Sequence, residues 1–166
     1  MERSYYTPRQ GQAYYQTVRD LLQGMGPQES LLDVGCFDTP VSTWGEFQRR
    51  SAVNLTDCPR YEGVQYHIGD YLRMQLPRHS VITCLQVIEH FTDAVVAQWA
   101  DKLLSGADTV IVSVPFQWPA GQEEGHIQDP IDEFKFLQMM GNPPHSTLTL
   151  TGSRLVGVFP GKALWG

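Results

Sequence analysis

The sequence has few of the features that would assign it to a membrane or nucleic-acid-binding class. Its 166 residues include 12 lysines and arginines against 18 acidic residues, which gives a formal net charge of −6 at pH 7. No basic face that would neutralise phosphates is evident, so we expect no nucleic acid partner. No apolar run approaches the roughly 20 residues needed to span a bilayer, so we expect no membrane partner.

Cysteine is also scarce. The three cysteines, Cys36, Cys58 and Cys84, are odd in number and lack the spacing of metal ligands. This argues against a disulfide framework and against a zinc site. Residues 1–12 are polar and aromatic rather than an apolar signal segment. We therefore expect a reducing, cytoplasmic location.

What the chain does contain is an alternation of strand and helix patterns. Its hydrophobic fraction of 42% suits one globular domain with a sizeable core. The patterns predict helices over 10–25, 41–50, 91–104 and 130–140, and strands over 31–35, 52–55, 64–68, 80–87, 109–114, 147–150 and 155–159. This order predicts a doubly wound α/β fold, in which a mainly parallel sheet of about seven strands ends in an antiparallel hairpin.

The first predicted strand ends in the most informative segment, Leu31-Leu32-Asp33-Val34-Gly35-Cys36-Phe37-Asp38. At such a strand end an open α/β sheet presents its backbone to a ligand. Gly35 allows close approach, and Asp33 can accept hydrogen bonds from an ammonium or hydroxyl group. The segment resembles motif I of the class I S-adenosylmethionine-dependent methyltransferases, L-D-V-G-C-G-x-G. Phe37 and Thr39 replace the second and third glycines, and an ordinary turn after a buried strand is the alternative.

A second match follows the fourth predicted strand. The run Val87-Ile88-Glu89-His90-Phe91 resembles the end of the family signature D-x-V-x-x-x-x-V-L-E-H-V. The order of elements resembles the family's Rossmann-like fold in a compact version, over roughly residues 12–159. The resemblance implies a single domain over residues 1–166. Its parts would be an N-terminal cap and helix (1–26), a cofactor-binding core (31–114), an acceptor-side loop and helix (115–145) and a closing hairpin (146–160).

The resemblance implies S-adenosylmethionine as the cofactor, bound at the ends of the strands. Asp57, after the second strand, would accept hydrogen bonds from the ribose hydroxyls, with Asn54 or Thr56 in its place if the register differs. Asp70, after the third strand, would accept from the adenine amino group, unless it caps a helical turn. The other candidates for cofactor binding are Asp33, Gly35, Cys36, Phe37, Tyr71, Leu85 and Gln86.

The acceptor side is predicted from the loop over residues 115–132. Its length and its aromatic and ionisable content are typical of a functional loop, and the resemblance places it over the acceptor. Histidine is well suited to proton transfer near neutral pH, so we take His126 as the candidate general base. Glu89 and His90 are further catalytic candidates, although such a pair is more often a capping or packing feature.

No metal site is assigned from the sequence. His126, Asp129 and Asp132 lie at three-residue steps and would hold a cation if the segment were helical. Pro130 argues against this, because it predicts that Asp129 caps the following helix.

Together these features predict methyl transfer from S-adenosylmethionine to a small-molecule acceptor, with oxygen favoured over nitrogen. One alternative is a non-catalytic cofactor-binding or interaction domain, suggested by the degenerate loop at Phe37. Another is an NAD-binding enzyme, which has little support because no G-x-G-x-x-G follows the first strand. The oligomeric state is left open, with a homodimer among the alternatives.

Overall fold

The sheet of this protein has seven strands in the computed structural model, which describes residues 4–166. The strands are β1 (Gln28–Val34), β2 (Phe47–Asn54), β3 (Gln65–Ile68), β4 (His79–Leu85), β5 (Ala107–Pro115), β6 (Thr147–Thr151) and β7 (Arg154–Pro160). Their order is β3-β2-β1-β4-β5-β7-β6. Strands β1 to β5 pair in parallel, and β7 is antiparallel to both β5 and β6. The predicted sheet and its C-terminal hairpin are thus confirmed.

Helices cover both faces of the sheet, as the doubly wound prediction requires. They are α1 (Ala13–Gly24), α2 (Asp93–Gly106) and α3 (Glu133–Met139). Helix α1 packs on β6 and β7, and α2 packs on β4, β5 and α3 against the opposite face. Within α1 the buried residues Tyr14, Val18 and Leu22 recur at helical spacing, which gives the helix one apolar face. None of the described helices is both long and apolar enough to cross a membrane.

The predicted helix over residues 41–50 is wrong. Val41–Thr43 forms a single 3-10 turn, and the chain is already extended in β2 from Phe47 onward. The inward position of Trp44 and Phe47 is nonetheless confirmed, since both side chains are buried. The other predicted elements are present, with their ends displaced by a few residues.

Arg50 and Gly45 explain why the helix does not form. Gly45 has φ +68, outside the helical region. The Arg50 guanidinium donates hydrogen bonds to the carbonyl oxygens of Ser42, Trp44 and Gly45. In a helix these carbonyls would instead accept from the backbone amides of the following turn. The Arg50 side chain therefore fixes the path of the backbone over residues 42–45.

The strand order determines where a ligand site can form. The chain proceeds from β1 outward through β2 to β3, and then crosses to β4 on the other side of β1. Where the strand order reverses, an open α/β sheet leaves a crevice at the carboxyl ends of the neighbouring strands, which here are β1 and β4.

Candidate functional site

A cavity of about 650 Å³ lies at the carboxyl ends of β1, β2 and β4. Its size is in the usual range of small-molecule and cofactor sites. It lies at the reversal of strand order, where open α/β sheets bind ligands. The predicted cofactor-binding residues that line it are Asp33, Gly35, Phe37, Asn54, Asp70, Tyr71, Leu85 and Gln86.

Asp33 is a buried carboxylate with one oxygen unused. Its side chain lines the cavity, and the residue is 2% exposed. The Thr83 hydroxyl donates to Oδ1 at 2.7 Å, whereas no group among residues 4–166 donates to Oδ2. Burial raises the pKa of Asp33 to about 7. A buried carboxylate without full pairing is costly, so Oδ2 is suited to a cationic or hydroxyl group in the cavity.

Gly35 is required by the packing of the protein itself. It has φ +77, and a Cβ atom at this position would lie 2.5 Å from Cγ2 of Val87. A larger residue would therefore collide with the segment after β4 before any ligand is considered. The predicted role of Gly35 in close ligand approach stays a prediction.

Phe37, at the place of the second motif glycine, adopts φ +43. Glycine enters this left-handed region readily, and an aromatic residue enters it at a cost. The Phe37 amide donates to Asn54 Oδ1 at 3.3 Å, which ties the loop to the end of β2. The turn thus has a backbone conformation that favours glycine although the glycine is missing.

The N-terminal segment closes one side of the cavity. The Ser4 hydroxyl and the Tyr6 amide both donate to the Asp38 carboxylate, the latter at 3.0 Å. Between them, Tyr5 lines the cavity and contacts Phe37 edge-on, with ring centroids 5.9 Å apart. This segment is therefore anchored to the loop after β1.

Two predicted cofactor residues lie outside the cavity. Cys36 is buried, with its sulfur 3.9 Å from that of Cys58. Asp57 is exposed and forms an ion pair with Arg60 at 3.0 Å, and the hydrogen bond from Arg60 lowers its pKa. Strand β2 ends three residues before Asp57, at Asn54, so the structure places the alternative candidate, Asn54, at the cavity.

Asp70 and Tyr71 have structural roles beside the cavity. Asp70 Oδ1 accepts from the Leu72 amide at 3.0 Å and caps the 3-10 turn over Tyr71–Arg73, which was the alternative to adenine binding. The Tyr71 ring is buried against Trp99, with centroids 5.2 Å apart. Both residues still line the cavity, and their contact with a cofactor stays a prediction.

The three catalytic candidates meet at the rim of the cavity. One possible ligand atom from each of Glu89, His90 and His126 lies within 4.8 Å of the others. His90 also lines the cavity. The backbone amides of Ile127 and Gln128 donate to the Glu89 carbonyl oxygen at 2.9 and 3.1 Å, and this holds the loop after β5 against the turn after β4. The sequence indicated the Glu89–His90 pair and His126 as separate candidates and did not predict that they form one cluster.

Each histidine of the cluster is oriented through Nδ1. His126 Nδ1 lies 2.7 Å from Asp129 Oδ2, and the two side chains are 8% and 0% exposed. His90 Nδ1 lies 3.0 Å from the carbonyl oxygen of Gly125. A carbonyl oxygen only accepts, so His90 donates from Nδ1 and its Nε2 carries the lone pair when the ring is neutral. Burial lowers the pKa of His90, which favours the neutral ring.

Glu89 is the most deeply buried member of the cluster. It is 0% exposed, and within the described part of the chain neither carboxylate oxygen accepts a hydrogen bond. Burial, together with a smaller contribution from the nearby Asp129, raises the pKa of Glu89 to about 8. The rim therefore has a carboxylate without a partner beside two oriented imidazoles.

The predicted cap at Asp129 is wrong. Helix α3 begins one turn later, and Asp132 is its cap, with Oδ1 accepting from the Lys135 amide at 2.7 Å. Asp129 instead pairs with His126. Because Asp132 is engaged at the helix start, the structure does not assemble the cation set of His126, Asp129 and Asp132 that the sequence suggested.

Trp118 and Arg154 complete the surroundings of His126. The Trp118 ring stacks on His126 with centroids 5.6 Å apart, and the Arg154 guanidinium lies 4.2 Å from the Trp118 ring centroid. Sequence reasoning noted the aromatic loop but missed Arg154, because β7 was regarded only as a closing strand.

Comparison with known proteins identifies the architecture. No protein-family model matches the chain, and no curated protein matches it. Among solved structures, the N-methyltransferase NodS from Bradyrhizobium japonicum WM9, in complex with S-adenosyl-L-homocysteine, matches with a TM-score of 0.70 at 10% identity, over 90% of this chain and 86% of that one. The chain has the class I methyltransferase fold. The prediction from motif I is thus confirmed for the fold.

Two further structures share the fold. Magnesium protoporphyrin IX methyltransferase (ChlM) from Synechocystis PCC 6803, with bound S-adenosylmethionine, matches with a TM-score of 0.59 at 17% identity, over 88% of this chain and 79% of that one. The small RNA methyltransferase HEN1 matches with a TM-score of 0.70 at 16% identity, over 98% of this chain but 26% of that one.

The loop after β1 leads to a test of backbone strain in this methyltransferase fold. We expect Phe37→Gly to be more stable to urea than Phe37→Ala by about 1 kcal/mol, because both remove the ring and only glycine relieves the left-handed conformation. The alanine variant is the matched control for the lost contact with Tyr5. Equal unfolding free energies would show that the loop is not strained at Phe37.

Asp33 leads to a test of pH dependence. Its pKa of about 7 in the folded chain lies above the roughly 3.9 of an unfolded aspartate. Between these values the unfolded chain loses a proton that the folded chain keeps, so this group makes the protein less stable as the pH rises from about 4 to 7. In urea unfolding, Asp33→Asn should therefore gain stability over wild type as the pH rises. Asp57→Asn is the exposed control, and a parallel pH profile for Asp33→Asn and wild type would contradict the assignment.

Proposed function

We propose that this protein transfers a methyl group from S-adenosylmethionine to an oxygen atom of a small-molecule acceptor. The observation that carries the proposal is the adjacency of two features on one sheet edge. Asp33, whose Oδ2 has no hydrogen-bond partner among residues 4–166, lines the cavity, and the cluster of Glu89, His90 and His126 adjoins the cavity through His90. NodS and ChlM, which share the fold, were crystallised with S-adenosyl-L-homocysteine and S-adenosylmethionine, and this supports the choice of cofactor.

In the proposed complex, Asp33 binds the positively charged methionine end of the cofactor. Its Oδ2 accepts a hydrogen bond from the cofactor's ammonium group, and this pairing relieves the cost of a buried unpaired carboxylate. Leu85 and Gln86, at the end of β4, line the same part of the cavity. The negative net charge of the chain also favours a cationic ligand.

Asn54 and Asp70 are proposed for the nucleoside end of the cofactor. The Asn54 amide already accepts from Phe37 and donates to the Thr56 carbonyl oxygen. Its oxygen and nitrogen each retain capacity for a further hydrogen bond, which suits a ribose hydroxyl. Oδ1 of Asp70 caps the 3-10 turn, and its Oδ2 lies 3.5 Å from Nε of Arg73. Both oxygens of Asp70 therefore already have contacts within the protein before a ligand binds.

The rim cluster is the reason for proposing an oxygen acceptor. The cofactor is already an activated methyl donor, so the protein has to align the groups and assist the acceptor. A hydroxyl acceptor must also lose a proton, and an amine needs less assistance. The rim cluster brings three groups that can accept a proton to the cavity, namely Glu89, His90 and His126. Asp129 orients the His126 ring through Nδ1, as a carboxylate commonly orients a catalytic histidine.

The class of acceptor is inferred from the net charge of the chain. The net charge of −6 opposes a polyanionic acceptor, which supports a small molecule over a nucleic acid. We propose that the loop after β5, with Trp118 stacked on His126, forms the acceptor side.

Calorimetry with S-adenosylmethionine tests the cofactor assignment. Asp33→Asn should weaken binding by about 1.5–3 kcal/mol, as expected for a hydrogen bond between charged groups. Asp57→Ala, which removes an exposed carboxylate away from the cavity, should leave the affinity unchanged. Preferential binding of NAD, or equal affinities in wild type and Asp33→Asn, would contradict the proposal.

Turnover tests the acceptor side. In a radiolabelled-methyl screen of sugars, phenols and amines, His126→Ala should lose about 10²–10⁴-fold in rate, the usual cost of removing a group that assists proton transfer. Its affinity for the cofactor should stay close to wild type, and the exposed His145→Ala should behave as wild type throughout. A full rate in His126→Ala would remove this residue from the mechanism. Tight cofactor binding without transfer to any acceptor would favour the non-catalytic alternative.

A further inference from the structure

We propose that Glu89, His90 and His126 bind a divalent transition-metal ion at the rim of the cavity, and that this ion binds the acceptor hydroxyl. The second half of the proposal rests on the proposed methyl transfer, whereas the first half depends only on the geometry of the three side chains. It departs from the sequence-based expectation of no metal site, because Glu89 and His126 come together only through the fold.

The donor atoms are close enough for a shared ion. They lie within 4.8 Å of one another, and ligands at about 2.0–2.2 Å from a metal are themselves about 3–4 Å apart. Small side-chain rotations would therefore close the site. Two imidazoles with one carboxylate is a ligand set that suits first-row transition metals and leaves coordination positions open.

The groups that hydrogen-bond to the two histidines have the arrangement expected around metal-binding histidines. A ligating histidine commonly donates its other ring N–H to a carboxylate or to a backbone carbonyl, which aims the free nitrogen at the metal. Here Nδ1 of His126 is hydrogen-bonded to Oδ2 of Asp129 at 2.7 Å, and Nδ1 of His90 is hydrogen-bonded to the carbonyl oxygen of Gly125 at 3.0 Å. In both rings Nε2 is then the nitrogen available to a cation.

Glu89 supplies an independent reason for a cation. Its carboxylate is fully buried, and among residues 4–166 nothing donates a hydrogen bond to either oxygen. Among residues 4–166, the nearby Arg154 forms no ion pair with Glu89. The Arg154 guanidinium lies instead over the Trp118 ring. A bound cation would provide the partner that this buried carboxylate lacks.

The position of the cluster gives the ion a chemical role. His90 lines the cavity, so open coordination positions face the space where the acceptor would bind. A metal-bound hydroxyl loses its proton more easily, and here the proton passes to bulk water. The acceptor oxygen then forms a bond to the methyl carbon while the carbon–sulfur bond breaks. The electron pair of that bond remains on sulfur, and neutral S-adenosylhomocysteine is released. In this scheme His126 is a metal ligand and not the base.

Metal titration of the full chain tests the site. After chelator treatment and dialysis, the wild type is titrated with Mn²⁺, Co²⁺ and Zn²⁺ by calorimetry, and Co²⁺ binding is followed by visible absorption. We expect one ion per chain. Asp129→Asn should weaken binding about 10–100-fold, the usual cost of losing a group that orients a metal ligand, and Glu89→Gln and His126→Asn should weaken it at least as much.

Two controls keep the result interpretable. His145→Asn removes an exposed histidine far from the cluster in sequence and should bind the ion as wild type does. Glu89→Gln conserves the buried volume, and its cofactor affinity and circular dichroism report whether it is folded. Absence of binding in wild type, or undiminished binding in folded Glu89→Gln and His126→Asn, would overturn the site.

The role of the ion is tested separately from methyl transfer itself. Transfer that stops with a chelator and returns with Mn²⁺ or Co²⁺ would support the role. Transfer that is unaffected by metal removal would overturn it and leave the proposed function intact. Metal binding without transfer to any acceptor would overturn the proposed function and leave the metal site intact.

Discussion

The parallel pairing of β1 with β4 is the constraint on which the rest of the site depends. This pairing aligns Asp33 with Thr83 and brings the turn after β1 against the turn after β4. The contact between the two turns is so close that Gly35 has no room for a Cβ atom beside Val87. Because Glu89 and His90 follow Val87 after one intervening residue, the same contact fixes the rim cluster relative to the cavity.

Two buried carboxylates divide the site into a cofactor end and an acceptor end. Asp33 and Glu89 both carry oxygens without a partner in the described part of the chain, and burial raises the pKa of each. Burying a carboxylate without a partner costs free energy of folding, and a bound cation would offset that cost. We therefore interpret both as positions where the protein gives up stability for ligand binding. In the proposed complexes, the partner of Asp33 is the ammonium group of the cofactor, and the partner of Glu89 is the metal ion that binds the acceptor.

The sequence predicted the sheet well because long apolar strands and their turns are local signals. Motif I correctly indicated that Asp33 lines the cavity, whereas Asp57, the residue predicted to bind the ribose, lies three residues past the end of β2 and outside the cavity. The sequence-based prediction failed over residues 41–50, where apolar spacing favours a helix and the hydrogen bonds from Arg50 decide otherwise. It also missed the rim cluster, because the proximity of Glu89 to His126 depends on contacts between loops that are distant in sequence.

A crystal structure of the chain with S-adenosyl-L-homocysteine and Mn²⁺ would test the proposed cofactor and metal sites together. We expect the amino group of the ligand to lie within hydrogen-bond distance of Asp33 Oδ2 and its sulfur to face His90. We also expect anomalous density for the ion between Glu89, His90 and His126. A ligand bound elsewhere, or one whose sulfur points away from the cluster, would contradict the proposed arrangement.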